Sequence, residues 1–223
     1  MSPWVSWTPR GRALVFLLAA ASIWCLLAEF YGLCSMQAFT FAILLPATAL
    51  LTGIAWHDRT RGDGRLWRAV RVGALGGLLA VCAYDLFRLP WVLGASEAMG
   101  PAWMRLPLFK VFPRFGAMIL GLPFTPQMTD AQFSLAAHGI GWAYHVSNGI
   151  TFGIMYLALV GNASRRHWLW AVALAAGLEL AMLFTPYTGF FGIPLTALFV
   201  AVTLAAHGIF GTALGLYAKR VSA

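Results

Sequence analysis

Six ionisable side chains of this chain lie inside long apolar stretches, where charged and imidazole groups are costly and often mark a functional site. Imidazole and carboxylate groups bind zinc, iron and manganese, and they also transfer protons. These residue types therefore indicate metal or acid–base chemistry, provided that the helices bring them together. The six residues are Glu29, Asp85, His138, His145, Glu179 and His207.

The composition indicates that these stretches face lipid rather than the core of a soluble domain. Of the 223 residues, 61% are hydrophobic and 10% are charged, whereas a soluble domain carries about 25% charged residues. So few charges cannot cover a soluble surface, which makes the lipid bilayer the main partner. The sequence holds no nucleic-acid-binding motif, so the net charge of +8 is interpreted as a sign of membrane topology.

Six apolar segments are long enough to cross a bilayer, at about 20 residues each. They predict an all-α fold, a single transmembrane domain over residues 1–223 built as a polytopic bundle of about six helices. Pro46 lies inside the second span and should kink it, which membrane helices tolerate. The predicted spans are 13–35, 38–56, 69–93, 131–160, 168–185 and 193–217.

Basic residues at the ends of these spans predict the orientation of the chain. With six spans, four basic groups lie on one side, which the positive-inside rule makes cytoplasmic together with both termini. The exception is segment 94–130, which is proline-rich and basic, lies on the other side, and is interpreted as an interfacial or re-entrant element. A lipid-bound loop, a lid and a binder of anionic headgroups are the roles open to it. The four groups are Arg10 and Arg12; Arg59, Arg61, Arg65, Arg68 and Arg71; Arg165 and Arg166; and Lys219 and Arg220.

The helical rise of 1.5 Å per residue places four of the ionisable residues at one depth. Asp85 should lie about 24 Å from the cytoplasmic end of the third span, and Glu179 about 17 Å from that of the fifth. His145 and His207 should each lie about 21 Å from the outer ends of the fourth and sixth spans. In a hydrocarbon core of about 30 Å, these positions form one layer near the middle.

Two histidines and two carboxylates from four helices make a divalent-metal site, with zinc or iron, the first hypothesis. His145, His207 and either Asp85 or Glu179 would bind the metal and leave an open position for catalysis. The other carboxylate would be a general base or would orient a histidine. The function that follows is a metal-dependent membrane enzyme, a hydrolase or an oxidoreductase, acting on a lipid-soluble substrate.

Two further residues of the fourth span belong to this hypothesis. His138 should lie about 10 Å nearer the outside than His145 on the same helix face, as another ligand or on the path of the substrate. Asn148 extends the polar stripe inward and would, like Tyr144, donate to a developing oxyanion.

Three other interpretations stay open at this point. In the first, each polar residue only satisfies a neighbour, as Asp85 would by pairing with Arg88 one turn away. In the second, the chain is a transporter or a proton or ion pathway, with His138, His145 and Asn148 as a stripe that leads inward. In the third, haem b is held between the two histidines at middle depth and transfers electrons.

The C-terminal half contains a distinctive series of residues. His145 is followed by "FGIMY", which ends at Tyr156; Trp168 and Trp170 begin the next span; and His207 and Gly208 form a pair in the last one. This series resembles that of YagU-type bacterial inner-membrane proteins. The resemblance implies a bacterial inner membrane, and it transfers no catalytic residues to this chain.

Overall fold

The computed structural model describes residues 7–93, 106 and 108–222, and in these residues the regular structure is helical throughout. The all-α prediction is therefore confirmed. A π-helical turn, Thr40–Leu44, joins α3 to α4. The α-helices are α1 Pro9–Ala19, α2 Ala21–Phe30, α3 Met36–Phe39, α4 Leu45–Arg61, α5 Arg65–Leu93, α6 Val111–Leu120, α7 Leu135–Val160, α8 Leu169–Leu183, α9 Tyr187–Phe190 and α10 Ala197–Val221.

Four helical segments in the described part of the chain are long and apolar enough to cross a membrane. They are the continuous run Met36–Arg61, α5, α7 and α10. The pair α1 and α2 makes a fifth if it is counted as one span, although it bends by 44°. The predicted span 168–185 contains only the 15 residues of α8, about 22 Å of helix. Six full-length spans are therefore not reproduced.

Proline explains two of the irregularities. Pro46 has no N–H to give to the preceding turn, and the wider π-helical turn Thr40–Leu44 lies directly before it, as is common where a helix is interrupted. In α8 the helix ends at Leu183, two residues before Thr185, whose position ahead of Pro186 disfavours helical backbone.

Helix α7 lies at the centre of the bundle, and glycines let α5 approach it closely. A Cβ atom added at Gly77 would lie 2.1 Å from the carbonyl oxygen of Gly149, and one added at Gly153 would lie 2.1 Å from that of Gly73. Small residues at this spacing allow the backbones of membrane helices to touch. This crossing fixes the relative positions of the side chains that α5 and α7 direct into the bundle.

Helix α6 is the described helical part of segment 94–130, and it packs inside the bundle, with nine of its ten residues buried. It lies against α7 so tightly that a Cβ atom at Gly116 would be 1.8 Å from the carbonyl oxygen of Ala137. The buried guanidinium of Arg114 donates to the backbone carbonyls of Lys110 and Met128 and so ties α6 to the loop that follows. Residues 94–105 and 107 of this segment lie outside the described residues.

Candidate functional site

A cavity of about 190 Å³ lies among α2, α5, α6, α7, α8, α9 and α10. Apolar side chains such as Leu26, Phe115 and Met182 make up much of its wall. For comparison, an engineered apolar cavity of about 150 Å³ binds benzene, so this space fits a small ring or the end of a larger lipid. The polar side chains on the wall are Tyr84, Arg88, His145, Asn148, Glu179, Tyr187 and His207.

His145 and Asp85 form the first imidazole–carboxylate pair of the cavity. The Nε2 atom of His145 lies 3.1 Å from Oδ1 and 3.0 Å from Oδ2 of Asp85, and its ring stacks on Phe112 with the centroids 4.2 Å apart. The nearest guanidinium nitrogen of Arg88 is 3.6 Å from Asp85 Oδ1. A carboxylate oxygen only accepts, so in this hydrogen bond Nε2 of His145 is the donor.

His207 and Glu179 form the second pair. A hydrogen bond to the backbone defines the tautomer of the His207 imidazole. The Nδ1 atom of His207 lies 2.9 Å from the carbonyl oxygen of Thr203. A carbonyl oxygen only accepts, so Nδ1 carries a hydrogen. The Nε2 atom faces Oε2 of Glu179 at 3.4 Å. A proton on either Nε2 or Oε2 would make this contact favourable.

Tyr84 and Arg88 connect the two pairs. The ring centroid of Tyr84 lies 4.9 Å from that of His207 and 6.0 Å from that of His145. The guanidinium of Arg88 lies 4.5 Å from the Tyr84 ring centroid and donates to the carbonyl oxygen of Leu108. Arg88 is 5% exposed, and its Nε atom has no hydrogen-bond partner among the residues that the structure describes.

The predicted metal site is wrong. In the described part of the chain, no group of three or more His, Cys, Asp and Glu side chains is placed to hold a metal ion. Each histidine contacts its own carboxylate, so that there are two separate pairs, His145 with Asp85 and His207 with Glu179. The ring of Tyr84 contacts both histidines. Arg88 also places its positive charge beside Asp85, where a metal cation would be repelled. The metal-dependent enzyme is therefore withdrawn as the function.

His138, the fifth proposed ligand, lies away from the cavity. Its Nε2 atom is 2.9 Å from the backbone oxygen of Asp130, and the side chain is absent from the cavity wall. Between His138 and His145, a Cβ atom at Gly141 would be 1.7 Å from the carbonyl oxygen of Phe112. Helix α6 therefore covers the predicted stripe between the two histidines.

Asn148 and Tyr144, the two proposed oxyanion donors, have different surroundings. Asn148 lines the cavity, and its Oδ1 atom is buried with no partner among the described residues. The hydroxyl of Tyr144 instead donates to the carbonyl oxygen of Ser22 at 2.6 Å. Tyr144 therefore fastens α7 to α2, whereas Asn148 leaves an acceptor free for a ligand.

Sequence reasoning brought Asp85, Glu179, His145 and His207 to one layer. In the structure Glu179, His145 and His207 line one cavity, and Asp85 lies behind its wall, in contact with His145. Sequence reasoning missed Tyr84 and Phe112. Tyr84 directly precedes Asp85, but no pattern indicated that its ring would face the histidines. Phe112 belongs to α6, which was not predicted as a helix of the bundle because the segment around it is rich in proline. The pairing of Asp85 with Arg88, considered there as a purely structural contact, is present.

The remaining cofactor hypothesis is haem b held between His145 and His207. The Nε2 atoms of both histidines face carboxylates, so each would have to leave its partner to bind iron. Haem therefore stays a prediction, and a Soret band from the purified protein would establish it.

No family model matches this chain, and no curated protein or solved structure is significantly similar to it. The resemblance to YagU-type proteins stays a prediction.

Proposed function

We propose that this chain is a multi-pass protein of the bacterial inner membrane, with six membrane segments and both termini in the cytoplasm. Supporting this, α1 with α2, α3 with α4, α5, α7, α8 and α10 overlap the six predicted spans. With that arrangement, the basic groups at the ends of the helices all lie on one side, as the positive-inside rule requires.

The cavity within this bundle binds a small lipid-soluble molecule and exchanges a proton with it. The observation that supports this function is the approach of His207 Nε2 to Glu179 Oε2, 3.4 Å apart, on the wall of a largely apolar cavity. These two atoms can share one proton. Ionisable groups inside a membrane bundle often mark a proton pathway or a substrate site. The apolar wall favours a ligand that enters from the bilayer.

The unpartnered atoms on the wall suggest the chemistry of the ligand. Arg88 Nε is a buried donor and Asn148 Oδ1 a buried acceptor, both without partners among the described residues. Leaving such groups unsatisfied costs about 1–3 kcal/mol each. A hydroxyl group can pair with either the donor or the acceptor, because it donates one hydrogen and accepts through its lone pairs. An alcohol or a phenol on a small apolar body therefore fits the cavity.

The proton transfer needs only the second pair. When a phenolate or an alkoxide enters, the proton shared by His207 and Glu179 moves to the ligand oxygen, which leaves a neutral hydroxyl group and an ionised Glu179. In the reverse direction, Glu179 and His207 take the proton from the hydroxyl group, and Arg88 stabilises the anion that forms. His145 and Asp85 take no part in this transfer.

Thermal unfolding in detergent with phenol and toluene tests the proposal. The two probes are similar in size, but only phenol has a hydroxyl group. A ligand that binds the native state stabilises it, by about 2.7 kcal/mol at 100 times Kd. We expect phenol to raise the Tm of the wild type and toluene to raise it much less.

Two tryptophan variants of α8 locate the binding site. Leu178 lines the cavity, so Leu178→Trp should fill it and abolish the effect of phenol. Leu180 lies on the same helix and is exposed, so Leu180→Trp should leave the effect unchanged. Equal stabilisation by phenol in both variants, or equal stabilisation by toluene and phenol, would show that the cavity and its polar wall are not the binding site.

A further inference from the structure

A second concave site lies between the end of α7 and the start of α8, away from the acid–base cavity. It is a groove of about 480 Å³. Leu159 and Val160 of α7 line it together with Leu174 of α8, and Trp170 and Arg166 complete its wall. None of these residues lines the cavity described above. The groove is therefore a separate candidate binding site.

The charge around this groove is positive. Four basic residues lie at the ends of α7 and α10 and in the segment that leads into α8: Arg165, Arg166, Lys219 and Arg220. These segments, residues 160–168 and 218–222, contain no Asp or Glu. The side chain of Arg166 is exposed and forms no ion pair with any residue that the structure describes. A positive charge at the side of an apolar groove complements an anionic amphiphile.

We propose that this groove binds an anionic phospholipid, with an acyl chain along Leu159 and Leu174 and the headgroup on Arg166. Trp170 suits this position because tryptophan favours the interface between hydrocarbon and water. A basic residue near a membrane surface contributes about 1 kcal/mol to the binding of anionic lipid, which corresponds to about a fivefold change in affinity. The site is independent of the acid–base cavity and of the ligand proposed for it.

Native mass spectrometry of the purified protein tests the site, with phosphatidylglycerol and phosphatidylcholine added in equal amounts. We expect the wild type to retain phosphatidylglycerol in preference to phosphatidylcholine. Arg166→Gln should lower that preference about fivefold. Arg165→Gln is the matched control, because Arg165 is equally exposed and neighbours Arg166 but does not line the groove; its preference should equal that of the wild type.

A second pair of variants tests the apolar part of the groove. Ala173 is exposed on its wall, so Ala173→Trp should fill it and remove the tightly held lipid of either type. Ala181 is exposed on the same helix and is not part of the groove, so Ala181→Trp should retain the lipid. Equal losses in Arg165→Gln and Arg166→Gln would reduce the effect to general surface charge and overturn the proposal. An unchanged Ala173→Trp variant would overturn it as well.

Discussion

The two carboxylates of the cavity have different neighbours. Asp85 has a guanidinium nitrogen of Arg88 at 3.6 Å and accepts from His145 through both oxygens. Glu179 has His207 as its one ion-pair partner among the described residues. Asp85 is therefore fixed in position by two partners, whereas Glu179 is the carboxylate to which the proposed proton exchange is assigned.

A residue-scale prediction concerns Glu179→Gln with 4-nitrophenol, whose absorption reports its ionisation. At a pH where the free probe is ionised, binding to the wild type should reduce the phenolate band, because the shared proton moves to the probe. The amide that replaces the carboxyl group has no proton to give, so the band should persist when the probe binds to this variant. Glu29→Gln changes a carboxyl group outside the cavity and should behave as the wild type. Equal loss of the band in all three proteins would contradict the role of Glu179.

Removal of the other carboxylate should act on stability. Asp85→Ala leaves the buried guanidinium of Arg88 without its counter-charge, and breaking one side of a buried ion pair costs about 3 kcal/mol or more. Denaturant unfolding in detergent micelles measures this cost. Asp63→Ala is the control, since Asp63 pairs with Arg65 at an exposed site and accepts from the backbone N–H of Arg65, so its loss should cost only about 1 kcal/mol. A loss below about 1 kcal/mol in Asp85→Ala would mean that Arg88 is not held by this charge.

At the scale of the helices, α7 positions the site because it contacts α5 and α6 through glycines. Gly149 and Gly153 meet α5, and Gly141 meets the Phe112 turn of α6. These contacts determine how far His145 lies from Asp85 and from Phe112. A change in either crossing would therefore alter the cavity without touching a polar residue.

Two glycine substitutions should have opposite effects on stability. Gly77→Ala places a methyl group 2.1 Å from the Gly149 carbonyl oxygen, and such overpacking costs about 1–3 kcal/mol. Gly53 lies in α4 with nothing within 4 Å of an added Cβ atom, so Gly53→Ala should be neutral or stabilising by up to about 1 kcal/mol. Unfolding free energies of both variants check this, and equal values would mean that α5 and α7 do not touch as described.

Local rules predicted some of these elements well and others poorly. The four-residue spacing of Gly73 with Gly77 and of Gly149 with Gly153 is typical of close packing between membrane helices, and these glycines do form the contact between α5 and α7. The rise per residue predicted the common depth of the ionisable groups, but it says nothing about the rotation of each helix. Rotation separates the four groups into two pairs, so the metal prediction failed where tertiary packing decided the outcome. Helix α6 was obscured because its surroundings are rich in proline.

At the scale of the whole molecule, the distribution of arginine gives the clearest prediction. A reporter fused after Ser222 should be cytoplasmic, because Lys219 and Arg220 follow the last span. A fluorescent protein at this position should fluoresce, and an alkaline phosphatase should be inactive. Alkaline phosphatase inserted in residues 186–192 is the matched control and should be active, since that segment, which contains α9, is uncharged and is predicted to lie on the other side. An active phosphatase at Ser222 would reverse the topology.

The contacts of Arg12 have a consequence for the biogenesis of the protein. Arg12 donates at 2.8 Å to the carbonyl oxygen of Ala158, 146 residues later in the chain, and also to that of Leu159. A ribosome adds about 5–20 residues per second, so these acceptors are made roughly 7–30 s after Arg12. During that interval the guanidinium of Arg12 lacks these two acceptors. The contact between α1 and the end of α7 therefore forms only after α7 has been synthesised.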